Sequence, residues 1–161
     1  MTHPSDNISS VIAAALTQHC ERVRLRVHQL VEPLTLDQLW QRPYPYGNSV
    51  GHLVLHLTGN LSTYIGAGVA GSGYVRDRPR EFADDSKRAK ADIMAAFDRA
   101  VDEATAAAHA QHDDDWGKAF QAVGVDDIKN RMAIFLRCAA HLDHHTGQII
   151  YLCKQLESRN Q

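Results

Sequence analysis

The chain has 161 residues, 44% hydrophobic and 22% charged, with a formal charge of −2. That size fits one domain, residues 1–161, able to bury about two-thirds of its unfolded surface. The near-neutral balance offers no basic patch for nucleic acid or an anionic membrane. Three cysteines (Cys20, Cys138, Cys153) without a CxxC pair argue against a disulfide framework. The N-terminus shows no signal-peptide pattern, and no apolar run is long enough to cross a membrane. A soluble protein of the reducing cytoplasm is expected.

In chain order, Ser5 or Asp6 is placed to cap a first helix running to about Pro33. Thr35 caps a short turn, Leu36 to Trp40, and the Arg42–Asn48 stretch, with two prolines and a glycine, is a loop. Asn48 or Ser49 opens a second helix to about Ala70. The segment from Gly71 through Arg80 reads as a polar loop, after which Asp84 or Asp85 caps a third helix from Ser86 to about Gln111. His112 to Lys118 is a loop, and Asp126 or Asp127 opens a fourth helix to about Leu156. No stretch combines β-branched alternation with hairpin turns. The pattern predicts an all-α four-helix bundle.

Ten histidines are the compositional oddity. His141, His144 and His145 fall in one short run of the fourth helix. Advancing by about 100° per residue places His145 in the apolar arc, His141 at its margin and His144 among polar neighbours. His141 and His145 are four apart, one turn above the other, so both imidazoles can reach one metal ion. A third ligand must come from elsewhere. On the second helix His52 and His56 form another such pair, both off the apolar stripe. His56 is preferred because Asn60 and Ala67 share its flank.

The alternative is that these histidines simply hydrogen-bond within the core. Other metal patterns fit less well: there is no HExxH, and no ExxH pair for a di-iron site. Cys138, one turn before His141, is either a soft ligand or, more in keeping with its type, a small core residue. His109, His112 and Asp113 to Asp115 read as a solvated helix end.

Two segments carry a family resemblance. Asn48-Ser-Val-Gly-His-Leu-Val-Leu-His56-Leu resembles the first-ligand segment of the DinB-like proteins, small four-helix proteins related to metal-dependent hydrolases and thiol transferases. His141-Leu-Asp-His-His145-Thr-Gly-Gln-Ile resembles their closing motif, two histidines four apart before a Gly-Gln pair. Gly59-Asn60 and the Tyr74–Phe82 loop are similar to an uncharacterised subgroup. Arginine often precedes Gly-Gln in the family, whereas Thr146 stands there in this chain. The resemblance implies a DinB-like fold, a His56, His141 and His145 site for a divalent ion (Zn²⁺ or Ni²⁺), a homodimer, and a small-molecule substrate.

Three imidazoles leave a coordination position open, unlike a closed structural site. Such an ion can activate water for hydrolysis or hold a low-molecular-weight thiol in its deprotonated form. No carboxylate stands out as a general base, which favours thiol S-transfer over hydrolysis. Arg76, Arg78 and Arg80 are either a solvated loop or an anion-binding group. A non-catalytic dimeric helical stress or interaction module is the reading outside enzymology.

Overall fold

The computed structural model describes residues 7–158. Four long helices form the frame: α1 (Ile8–Val31), α3 (Val50–Leu61), α5 (Lys90–His109) and α6 (Arg131–Ser158), with the short α2 (Leu36–Trp40) and α4 (Arg78–Ala83) between them. No β-strand occurs among the described residues; pairing is limited to one isolated bridge, Ala119 with Asn130. The expected all-α bundle is what the chain forms.

Neighbouring pairs around the bundle are α1–α5, α5–α3, α3–α6 and α6–α1. Pairs of side chains fix the directions. His28 meets Asp98, Arg24 meets Asp102 and Thr17 meets His109, so α5 runs against α1. His19 meets the Ala139 carbonyl and the Cys153 thiol the Leu30 carbonyl, so α6 runs along α1. Helix α3 starts beside Trp40, where Leu53 lines a cavity with Leu152, and ends where Leu61 lines another with Phe135 and Cys138, so it runs opposite in direction to α6. The core is the shared interior of the four, with Phe97, Leu57, Leu61, Ile134, Leu142 and Ile149 fully buried. Burying each such side chain is worth about 1.5–3 kcal/mol relative to exposing it.

The helix starts show what local chemistry decides. Ser5 and Asp6 lie outside the described residues; Asn7 caps α1 by accepting from the Ser9 N–H at 2.8 Å. Thr35 and Gln38 close a reciprocal capping box on α2, and Ser49 and His52 do the same on α3. Helix α3 does not continue as a regular α-helix to Ala70. It passes into a π-helical turn, Ser62–Ala67, in which the Gly68 N–H reaches back five residues to the Thr63 carbonyl.

Three boundaries differ from the sequence pattern. The polar loop contains α4, capped by the Asp77 side chain on the Arg80 N–H, with Pro79 in its first turn. Helix α5 begins at Lys90 rather than Ser86, because Asp84 turns back to bond Ser86 and Lys87 takes a left-handed φ of 48°. Helix α6 begins at Arg131 rather than near Asp126. Residues 118–120 pair with 129–131 through Phe120 N–H to Lys129 and Arg131 N–H to Lys118, and Asn130 caps the helix on Ala133.

The crossover from α3 to α5 climbs back along the bundle, and this positions the site. Trp40 donates to the Arg88 carbonyl and Arg42 to the Phe82 carbonyl, holding α4 against α3. Gly51 lets the Trp40 ring lie on α3: an added Cβ would sit 2.9 Å from it. No helix among the described residues is long and apolar enough to cross a membrane.

Candidate metal centre

Helix α6 carries His141 and His145 on the side facing α3, and His56 meets them from α3. The ring centroids lie 4.3 Å apart for His141 and His145, 5.0 Å for His56 and His141, and 4.7 Å for His56 and His145. One ring nitrogen from each lies within 4.8 Å of the others, a group that could hold a metal ion. His144 faces outward and is exposed, as the helical phase predicts.

His56 is not at the margin of its helix. It is 4% exposed, enclosed by the crossover, with Phe82 packed on its ring at 4.9 Å and Arg78 stacked over Phe82. His56, and not His52, lies in the cluster, and the two histidines differ in their partners. His52 Nδ1 accepts from the Ser49 N–H, and its Nε2 lies 3.2 Å from the Asp84 carbonyl. Both its nitrogens are thus committed to backbone structure. Burial lowers its pKa, which keeps it neutral.

The partners of His56 and His145 set the tautomers. His56 Nδ1 lies 2.9 Å from a Glu81 carboxylate oxygen and 3.1 Å from Arg76 Nη2; the carboxylate can only accept, so a proton on Nδ1 satisfies the shorter contact and leaves the Nε2 lone pair facing the cluster. His145 Nδ1 donates in the same way to Gln148 Oε1 at 2.7 Å, and the Gln148 amide in turn contacts His144. Such outer partners orient metal-binding imidazoles and raise their basicity. Nε2 of His56 and Nε2 of His141 are 3.0 Å apart. Two nitrogens bound tetrahedrally at about 2.0–2.1 Å from zinc would stand roughly 3.3 Å apart. A shift of a few tenths of an ångström therefore adapts the His56–His141 pair to an ion, and the three-imidazole donor set is of the type that zinc takes.

Electrostatics favour the ligand state. Burial, followed by the neighbouring histidines, pushes the His141 pKa down to about 3, and burial likewise takes His145 down to about 4. Both imidazoles are neutral near pH 7, as coordination requires.

Glu81 is the residue that sequence reasoning missed. Arg76 clamps its carboxylate, Nε to Oε1 at 2.5 Å and Nη2 to Oε2 at 2.8 Å, with Nη2 also 3.1 Å from His56 Nδ1. Burial alone would raise the Glu81 pKa, but the bonds from His56 and Arg76 outweigh it and hold the carboxyl ionised. The carboxylate reaches His56 because Gly59 has no side chain; a Cβ there would overlap it. The signal that could have found it is Asp77-Arg-Pro-Arg-Glu81, a helix-start pattern inside a segment that otherwise reads as loop. Of the three arginines, Arg76 turns inward, while Arg78 stacks on Phe82.

The remaining candidates play other parts. Cys138 is 3% exposed, and burial pushes its thiol up to about 12, which suits a core residue. Thr146 is buried with its hydroxyl bonded back to the Leu142 carbonyl. His109 bonds Thr17, and Asp115 caps the His112 N–H.

A four-helix bundle with three histidines converging from two facing helices belongs to the class of helical proteins able to house a metal between helices. Residues 19–149 match the family model described as the DinB superfamily, and the chain belongs to that superfamily. Among solved structures, it is similar to one described as the crystal structure of the conserved protein of locus from Enterococcus faecalis. The likeness has a TM-score of 0.75 at 14% identity and covers 91% of this chain and 98% of that one. At that identity the likeness carries the fold alone. No curated protein matches the chain.

Proposed function

We propose that the protein is a divalent-metal-dependent enzyme in which His56, His141 and His145 are the ligands, acting as an S-transferase on a low-molecular-weight thiol. The observation that carries this reading is the convergence of three imidazole nitrogens within 4.8 Å, with Glu81 fixing the tautomer of one and Gln148 that of another. Zn²⁺ or Ni²⁺ is the ion this all-nitrogen donor set suits. With three protein ligands, the ion would keep an open position and supply Lewis acidity that holds a thiol deprotonated near neutral pH.

The chain's own groups do the rest. Glu81 holds the His56 proton on Nδ1, and Arg76 keeps Glu81 ionised. Phe82 covers one face of the His56 ring and excludes water from that side. Metal-dependent hydrolysis would call for a carboxylate free to take a proton from water. Glu81 is the carboxylate nearest the cluster, and both its oxygens already accept bonds from Arg76 or His56. That engagement favours thiol chemistry over hydrolysis.

The proposed partners are a small-molecule substrate and a second copy of the chain; light scattering at micromolar concentration checks the dimer. The reaction is tested by loading the purified protein with Zn²⁺ or Ni²⁺ and following consumption of small thiols with electrophilic acceptors. Thiol consumption that requires the metal and vanishes in His141→Ala/His145→Ala is expected. Equal consumption by the metal-free protein would count against the proposal.

A further inference from the structure

Two prolines and two tyrosines alternate in the loop Arg42-Pro-Tyr-Pro-Tyr-Gly-Asn48, which is braced at several points. Each proline fixes one backbone angle. Arg42 donates to the Gly47 carbonyl at 3.3 Å and to the Phe82 carbonyl at 2.6 Å, and the Tyr44 hydroxyl donates to Gln155 Oε1 of α6 at 3.1 Å. The Tyr46 ring stacks on Tyr44 at 5.9 Å, the two planes 15° apart. Tyr46 is nevertheless 87% exposed, and beyond Tyr44 its side chain has no ring contact or hydrogen bond among the described residues. Tyr151 on α6 is 78% exposed and its side chain has neither.

Both tyrosines line one open cavity of about 330 Å³, together with Leu53, Leu152, Asn48 and Gln148. No charged side chain lines it, and the Asn48 carboxamide has no hydrogen-bond partner among the described residues. Its place follows from the opposed directions of α3 and α6. Going back from His56 to Leu53, and forward from His145 to Leu152, leads toward the same end of the bundle. At 1.5 Å of rise per residue those steps are about 5 and 10 Å. Gln148 stands between, lining the cavity while its Oε1 accepts from His145 Nδ1 at 2.7 Å.

Contiguous exposed apolar surface marks an interaction or ligand site, and small-molecule sites combine apolar walls with a few polar groups. Aromatic walls suit a flat π-system. A charged group would lose water here without gaining a counter-ion. We infer that this cavity binds a small, uncharged, planar aromatic molecule, stacked on Tyr46 and Tyr151 with its polar substituent at Asn48. Its assignment as the electrophilic acceptor of the thiol rests on the metal-site reading; the binding itself needs no metal.

The test titrates 2-naphthol and its saturated, non-planar analogue decahydro-2-naphthol into the full metal-free chain by calorimetry. The native protein should bind 2-naphthol about tenfold more tightly than the analogue, with a shift of the Gln148 side-chain amide resonance. Tyr46→Ala and Tyr151→Ala, both at exposed positions, should stay helical by circular dichroism and each weaken 2-naphthol about fivefold, the loss of one ring pair. Asn48→Leu should weaken it by about the same factor. Equal binding of the two alcohols, or native affinity in either tyrosine variant, overturns the site. Absent binding, with a native dimer that becomes a monomer in the tyrosine variants, also overturns it, since the rings then face a second copy. In the zinc-loaded protein 2-naphthol should compete with the electrophile in thiol consumption; inhibition that is not competitive removes the acceptor role. If Zn²⁺ fails to bind while 2-naphthol does, the metal reading falls and the aromatic site stands.

Discussion

Replacing Glu81 by Gln removes one charge from the His56–Glu81–Arg76 chain while keeping its shape. The Glu81 side chain is 8% exposed and that of Arg76 11%, so the arginine loses its counter-ion in a largely dry place. Removing one partner of a buried ion pair costs about 3–5 kcal/mol, and urea unfolding should show a loss at the lower end of that range, because the amide still accepts one bond. The amide also stops fixing the His56 tautomer, since either of its ends can face Nδ1. Loss of such an outer partner weakens metal affinity about 10–100-fold. A second variant separates the two effects. Glu81→Leu with Arg76→Met removes both charges and should recover much of the stability, as paired apolar replacements of buried ion pairs do. It should not recover metal affinity, because His56 still lacks its acceptor. Competition with a chromophoric chelator measures the affinity in all three proteins. Native affinity in the double variant would refute the orienting role assigned to Glu81.

Acid should destabilise the metal-free protein through the same histidines. In the unfolded chain His141 and His145 take a proton near pH 6.5, but when folded only near 3 and 4. The unfolded state therefore binds more protons across that interval, and the stability present above about pH 6.5 drains away as pH falls toward 3. Urea midpoints from pH 7.5 to 4 should fall more steeply in the native protein than in His141→Leu; parallel slopes would count against it. Gly51→Ala pushes a methyl to within 2.9 Å of the Trp40 ring. Overpacking of this kind should lower stability by about 1–3 kcal/mol, read by thermal unfolding, while the folded fraction keeps its metal stoichiometry. Cys138→Ala should leave metal stoichiometry unchanged by elemental analysis, whereas loss of the ion would make the thiol a ligand after all.

The parts of the site legible in the sequence were those lying on one uninterrupted helix. Helix α6 has no proline, so a fixed angular step separates inward His141 and His145 from outward His144. His56 needed the family resemblance, because nearly all of α3 is buried and its apolar stripe does not mark one lining face. Glu81 was out of reach of periodicity, since it meets His56 only when the crossover folds back across α3, a tertiary event that Gly59 permits. The displaced starts of α5 and α6 have a similar origin. Asp84, Asp126 and Asp127 all look like caps, but a left-handed Lys87 and the pairing of 118–120 with 129–131 delay each helix by several residues.

The central claim is that His56, His141 and His145 hold one metal ion. Protein purified without a nickel column and then titrated with Zn²⁺ should bind one equivalent per chain, and X-ray absorption should show three imidazole nitrogens at about 2.0–2.1 Å. His56→Ala and His141→Ala/His145→Ala should each lose that ion while remaining helical by circular dichroism. An ion retained in both variants, or no stoichiometric binding by the native chain, would contradict the claim.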